Sequence, residues 1–385
     1  MAKYCVSDYC DFVDNAEYVI IANHELGFYF KINKKIWNNI LYYIDNEITV
    51  DKKLRNIFDD LLEAKVIIED KSAEYEIITL QLTNYCNLKC KHCCLTELTA
   101  VGEVDYQVID KIIALKPKAI VLSGGEPMLH SDFWNIVNYI KDKFDGKLVL
   151  STNGTLITNR NIDRICEIFD KISISLDGII KNKVDIVRGQ GVYEKIIHVI
   201  DLLKKKNIKI EVSTISVEND KEIVKRFENG FGVSVLKREL SITNKVFENF
   251  DKLVCGGKRE YIKLKNNEFI EDTEIVLYKC GMIRYELYVS LDGNIYPCPG
   301  LAADKFVLKN INELKTLKEI RKVGSRKNII KKMLCEDKFK RCRNCDYRGL
   351  CWSCLCVIDN FANLPELYEK WCITRKKLIN QIVLK

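Results

Sequence analysis

The chain has 385 residues, 61 basic and 54 acidic, and 47% of them are hydrophobic. That length suits two or three domains, and that apolar fraction excludes a disordered tail. No apolar run reaches the ~18 residues of a membrane helix, Met1–Asp14 lacks a signal-peptide pattern, and the net charge of +7 is spread along the chain, so a cytoplasmic protein without membrane or nucleic-acid partners is expected.

In residues 1–75, Tyr18–Ala22 and Phe28–Ile32 read as strands turned at Gly27. Ile36, Ile40 and Ile44 recur at helical spacing, Leu54, Phe58 and Leu61 repeat that pattern, and Val66–Ile68 closes the segment as a strand. The order is that of a winged-helix-like domain. Residues 76–240 then alternate. Strands are predicted at Ile77–Leu82, Ala119–Leu122, Lys147–Ser151, Lys171–Leu176, Ile208–Thr214 and Val233–Leu236. Helices between them are predicted at Asp105–Leu115, Asp132–Phe144, Asn159–Phe169, Tyr193–Lys206 and Asp220–Asn229. Repeated strand–helix units make a parallel sheet, and six units fall short of a closed eight-fold barrel, so an α/β fold with a partial (β/α)6 barrel is expected. Residues 241–385 are loop-rich apart from helical patterns over Leu314–Met333 and Pro365–Val383.

Seventeen cysteines stand against four histidines. Cytosolic thiols stay reduced, so metal sites of nearly pure sulfur ligation are the expected use, with zinc and iron–sulfur clusters both open. The sharpest group is Cys86-x3-Cys90-x2-Cys93, placed just after the first barrel strand. Three close thiolates hold three irons of a cubane and leave the fourth without a protein ligand. Such a loop emerges at the C-terminal end of the strands, where barrel active sites sit. The second strand runs into Ser123-Gly124-Gly125-Glu126-Pro127, the third ends in Ser151-Thr152-Asn153-Gly154, the fourth in Ser173-Ile174-Ser175-Leu176-Asp177-Gly178, and Arg188-Gly189 follows.

With this spacing and order, residues 76–240 resemble the radical S-adenosylmethionine (SAM) superfamily. The resemblance implies that Cys86, Cys90 and Cys93 ligate a [4Fe-4S] cluster whose open iron is chelated by SAM. One electron then cleaves SAM to a 5′-deoxyadenosyl radical that abstracts a substrate hydrogen. It also implies SAM contacts from Gly124, Gly125, Glu126, Pro127, Asn153, Ser175 and Arg188, the glycines permitting close backbone approach and the arginine meeting a carboxylate. His92 reads as packing beside Cys93, and His198 as a core residue.

A second resemblance covers residues 280–372. Cys280, Gly293, Cys298, Cys342-x2-Cys345-x5-Cys351 and Cys372 are spaced like a SPASM auxiliary-cluster domain. It implies two more [4Fe-4S] clusters, three in all: one on Cys280, Cys298 and a residue near 354, the other on Cys342, Cys345, Cys351 and Cys372. The family places a cysteine where Leu355 stands; Cys354 and Cys356 flank it, and Cys354 is favoured. An extra family cysteine falls on Glu286, so the first auxiliary cluster either has an open iron or recruits Cys356 or Cys335. Residues 1–75 resemble the domain that holds the leader of a ribosomally made precursor peptide, by strand addition to a sheet edge.

Together these imply an oxidoreductase that crosslinks a precursor peptide, a Cys thioether being favoured over a carbon–carbon bond, fed by a low-potential donor such as flavodoxin or ferredoxin. A sulfatase-type maturase forming formylglycine is the alternative, and Pro299, where that branch has an aspartate, counts against it. A zinc-ribbon module binding nucleic acid is the reading from another class.

Overall fold

The computed structural model describes residues 4–14, 16–69, 77–95, 101–215, 220–238, 249, 286–316 and 318–384. They fall into two compact units. The first draws on Met1–Ala73 and Lys322–Lys385, the second on Glu74–Asn266 and Ile283–Arg321. The sequence predicts three consecutive domains (1–75, 76–240 and 241–385). In the structure the last of these contributes to both units.

Strands β1 (Tyr4–Val6), β2 (Cys10–Asp14), β3 (Tyr18–Asn23) and β4 (Phe28–Asn33) open the first unit. Gly27, at φ 75°, makes the turn between β3 and β4. Helix α1 (Lys34–Asp45) starts where the Asn33 side chain accepts from Lys35 N–H, and α2 (Arg55–Glu63) precedes β5 (Ile67–Glu69). β2, β3 and β4 form an antiparallel sheet, while β5 pairs with β1. Val19 and Ile21 pack on Trp37, Ile40, Phe58 and Leu61. On the other face, Val13, Ile20 and Ala22 pack on Leu350, Leu378 and Ile379 from the far end of the chain.

The second unit is built on β6 (Ile77–Thr83), β7 (Ala119–Gly124), β8 (Lys147–Thr152), β9 (Lys171–Ser175), β10 (Lys209–Ile215) and β11 (Ser234–Arg238), all parallel and in sequence order. The helices α3 (Tyr106–Ala114), α4 (Phe133–Lys143), α5 (Ile162–Ile168), α6 (Lys181–Arg188), α7 (Val192–Lys204) and α8 (Asp220–Phe231) connect them. This is the partial barrel the sequence predicts. Its strands read as apolar runs because Leu80, Leu122, Leu150, Ile172 and Val212 are all fully buried. Helix α6 is missed by the sequence because it turns few apolar residues inward, Val184 and Val187 chief among them. His198 is exposed, correcting its reading as core: the buried stripe of α7 is Ile196, Val199, Ile200 and Leu203.

Beyond the expected sheet, β12 (Glu286–Val289) pairs parallel to β6, and β13 (Asn294–Tyr296) and β14 (Lys309–Asn310) extend it antiparallel, making nine strands. The helix predicted over Leu314–Met333 is two: α9 (Lys318–Gly324) stops at a glycine, and α10 (Arg326–Leu334) restarts where Ser325 Oγ caps Asn328 N–H. Helices α11 (Arg348–Cys351), α12 (Leu355–Phe361) and α13 (Pro365–Leu384) finish the chain. No described helix is long and apolar enough to cross a membrane.

Candidate active site

β6 ends at Thr83 and releases the chain into the loop that carries Cys86, Cys90, Cys93 and Cys94. The next strand holds that exit in place. Gly125 N–H donates to Thr83 O and Glu126 N–H to Tyr85 O, both at 2.8 Å. A Cβ on Gly124 would lie 2.4 Å from Thr83 O, and one on Gly125 2.2 Å from Tyr85 O. The sequence assigns these glycines to a cofactor's close approach. The close approach seen here is that of the chain to itself, and it fixes the start of the cysteine loop.

Glu126 is completely buried and works as a strut. Its carboxylate accepts from Thr152 Oγ1 (2.8 Å), Asn153 N–H (2.8 Å) and Met128 N–H (3.3 Å), joining the end of β7 to the end of β8. Burial nevertheless pushes its carboxyl up to about 7. Pro127 opens a 3₁₀ turn behind it. Asn153 reaches the cysteine loop: its Nδ2 donates to Asn87 Oδ1 at 2.9 Å and lies 4.0 Å from Cys86 Sγ. Ser175 sits half-buried at the end of β9, in register with Ser213 of β10.

Arg188 differs most from expectation. Its guanidinium is spent on Asp177, with Nη2 2.9 Å from Oδ1 and Nε 2.7 Å from Oδ2. His92 Nε2 lies 2.6 Å from the same Oδ2, and Ile215 N–H donates to Oδ1 at 3.1 Å. Arg188 and His92 hold the Asp177 carboxyl far below the usual carboxylate range despite its burial. One buried aspartate thus ties together the cysteine loop, α6 and the ends of β9 and β10. Lys91 N–H, donating to Val187 O at 2.9 Å, adds a second tie between loop and helix. The sequence shows Asp177 only as part of the motif that ends the fourth strand and gives it no role; the available signal is an Asp-Gly at a strand end eleven residues before an arginine.

Cys86, Cys90 and Cys93 lie within one another's electrostatic reach, with the Arg188 charge facing Cys90. Burial pushes the Cys90 thiol up to about 11. Among the described residues no three His, Cys, Asp or Glu side chains converge tightly enough to share one ion. A four-iron cube spreads its sulfurs wider than a single ion does, and three neighbouring thiols suit three of its irons.

A second set gathers in the other unit. It comprises Cys342, Cys345, Cys351 and Cys372; burial pushes the Cys342 thiol up, and that of Cys351 up to about 12. Cys342 Sγ is 3.3 Å from Tyr368 Oη. The third expected set is Cys280, Cys298 and Cys354. Cys280 lies outside the described residues, while Cys298 and Cys354 belong to different units. Cys356 is buried with Asn360 Nδ2 3.5 Å from its sulfur, and Cys335 is exposed.

Residues 80–228 match the model of the Radical SAM superfamily. The pre-heme d1 synthase of Dinoroseobacter shibae is 34% identical over 160 residues, which is 38% of this chain and 38% of that one. This chain therefore spans well under half the length of that relative. The mycofactocin maturase MftC of Mycolicibacterium smegmatis is 26% identical over 269 residues, 61% of this chain and 67% of that one. Streptococcus suis SuiB bound to S-adenosylmethionine superposes with a TM-score of 0.50 at 14% identity, covering 91% of this chain and 94% of that one, and so shares the fold.

Proposed function

We propose, for an enzyme whose residues 80–228 are a radical SAM domain, that it crosslinks a ribosomally made precursor peptide, forming a Cys thioether. When bound, SAM and its cluster supply a 5′-deoxyadenosyl radical that takes a hydrogen from a peptide carbon. Cys86, Cys90 and Cys93 would hold that cluster. The turn Gly124–Pro127, Asn153 and Ser175 would line the SAM site, while Arg188 acts one step back, through Asp177, to hold the cysteine loop. Cys342, Cys345, Cys351 and Cys372 would hold a second [4Fe-4S] cluster, and Cys280, Cys298 and Cys354 a third. The sheet of β2, β3 and β4 would receive the peptide leader, and a low-potential flavodoxin or ferredoxin would supply electrons.

The observation that carries this reading is the second thiol set, gathered outside the radical SAM domain and in the same unit as the N-terminal sheet. A domain that only cleaves SAM needs neither. The maturase relative supports it, because its match extends far beyond the core shared with the heme-pathway relative. The test is anaerobic incubation with SAM, a reductant and a Cys-containing candidate peptide. Expected are 5′-deoxyadenosine and a peptide lighter by two hydrogens per crosslink in the mass spectrum. SAM cleavage that persists after Cys86→Ala, Cys90→Ala and Cys93→Ala together would overturn the site; cleavage without any change in peptide mass would overturn the substrate.

A further inference from the structure

Cys342 is buried beside a cluster of aromatic rings, and one of those rings carries a hydroxyl. Tyr368 and Cys372 are four residues apart on α13 and so share a face. Tyr368 is only 3% exposed. Its ring stacks on Trp371 at 5.7 Å and 15°, and the edges of Phe361 and Phe339 close on it at 6.0 and 6.2 Å. Held this way, the hydroxyl points at Cys342 Sγ, 3.3 Å away. Trp352 packs against Phe339 at 4.9 Å, behind that ring. A cysteine that ligates a metal has lost its proton. Against such a sulfur Tyr368 can only donate.

We infer that Tyr368 sets the reduction potential of the iron–sulfur centre on Cys342, Cys345, Cys351 and Cys372, by donating a hydrogen bond to the Cys342 sulfur. This rests on the reading that those four thiols hold a cluster. Reduction adds one electron to the centre; no bond breaks and no proton moves. The added negative charge spreads onto the ligand sulfurs, where a fixed donor stabilises the reduced form more than the oxidised one. Tyr368 is therefore a positioning residue whose hydroxyl raises the potential. A tyrosine that merely fills space would govern stability and leave the potential alone.

The measurement uses the full chain with Cys86, Cys90, Cys93 and Cys298 replaced by Ala, reconstituted with iron and sulfide without oxygen. Stepwise reduction with dithionite, followed by EPR, gives the midpoint. At the parent's midpoint, Tyr368→Phe is expected to show a reduced-to-oxidised ratio lower by up to about tenfold, which for one electron is 59 mV. Equal midpoints with a cluster present in both proteins would overturn the role of Tyr368 and leave the cluster reading standing. A parent that takes up no four-iron centre would overturn the cluster reading itself, and the inference with it. Should Tyr368→Phe fail to fold, 3-fluorotyrosine placed at 368 keeps the shape and strengthens the donor. It is expected to raise the midpoint, and no change would overturn the inference. Trp371→Phe loosens the stack without touching the hydroxyl. It is expected to lower the melting temperature at an unchanged midpoint; a fall matching that of Tyr368→Phe would make packing the cause.

Discussion

The two thiol sets of this chain are held by opposite means. Cys86, Cys90 and Cys93 come from one short loop, pinned from below by backbone hydrogen bonds to Gly125 and Glu126 and from the side by the ion pairs of Asp177. Cys342, Cys345, Cys351 and Cys372 come from separate elements; Cys342 lies against Tyr368, whose ring packs with Phe339 and Trp371, and Cys351 packs on the core beneath the N-terminal sheet. A loop pinned along its edges keeps one side bare, and Cys86 is indeed exposed, whereas Cys342 is buried. Polar pinning suits a site that must admit a cofactor, and ring packing suits one that must keep water from its sulfurs.

The comparison breaks most readily at Asp177. Asp177→Ala leaves the Arg188 charge buried and unpaired, so a loss of about 3–5 kcal/mol is expected by urea unfolding. Iron should leave the first set and stay on the second; equal loss from both would mean that the two are not held independently. Next in size is the pH dependence of Glu126 in the cluster-free chain. Its carboxyl titrates near 7 when folded, against 4.5 ordinarily. Between those values the folded chain keeps a proton that the unfolded chain has lost. Its contribution is full below pH 4.5 and falls by about 3 kcal/mol as pH rises to 7. Glu126→Gln should flatten that decline in a melting series.

Glycine contacts sharpen the contrast at a smaller scale. Gly125→Ala drives a Cβ to 2.2 Å from Tyr85 O, and Gly349→Ala drives one to 2.8 Å from Asp11 Cβ. Each is expected to cost about 1–3 kcal/mol in melting experiments. The first should lower iron on the loop set and the second iron on the C-terminal set. The smallest effect is expected at Cys335, exposed and outside both sets. Cys335→Ser should stay within about 0.5 kcal/mol of the parent, with unchanged iron content.

Much of the second unit was legible in the sequence. Strands such as Ala119–Gly124 and Lys171–Ser175 are buried against helices and read as short apolar runs ended by Gly or Ser. The cysteine loop was legible from spacing, since its ligand-type residues are neighbours in the chain. What stayed hidden depends on partners far away in sequence. β12 is four residues long and joins the sheet only by finding Ile77–Leu80, some two hundred positions earlier. Asp177 looks like an ordinary strand-end cap until α6, itself too polar to announce a helix, brings Arg188 back to it. Tyr368 carries no motif at all; only the fold lays its hydroxyl beside a cysteine.

The N-terminal sheet is finished by the end of the chain, because Val13, Ile20 and Ala22 are covered by Leu350, Leu378 and Ile379. During synthesis the ribosome delivers the first strands long before their cover. At typical elongation speeds that interval is roughly 20–70 s. For that time an apolar face of β-structure stands naked in the cell, exposed to chaperones and to neighbouring nascent chains, and a stop codon before Tyr347 would leave it so permanently.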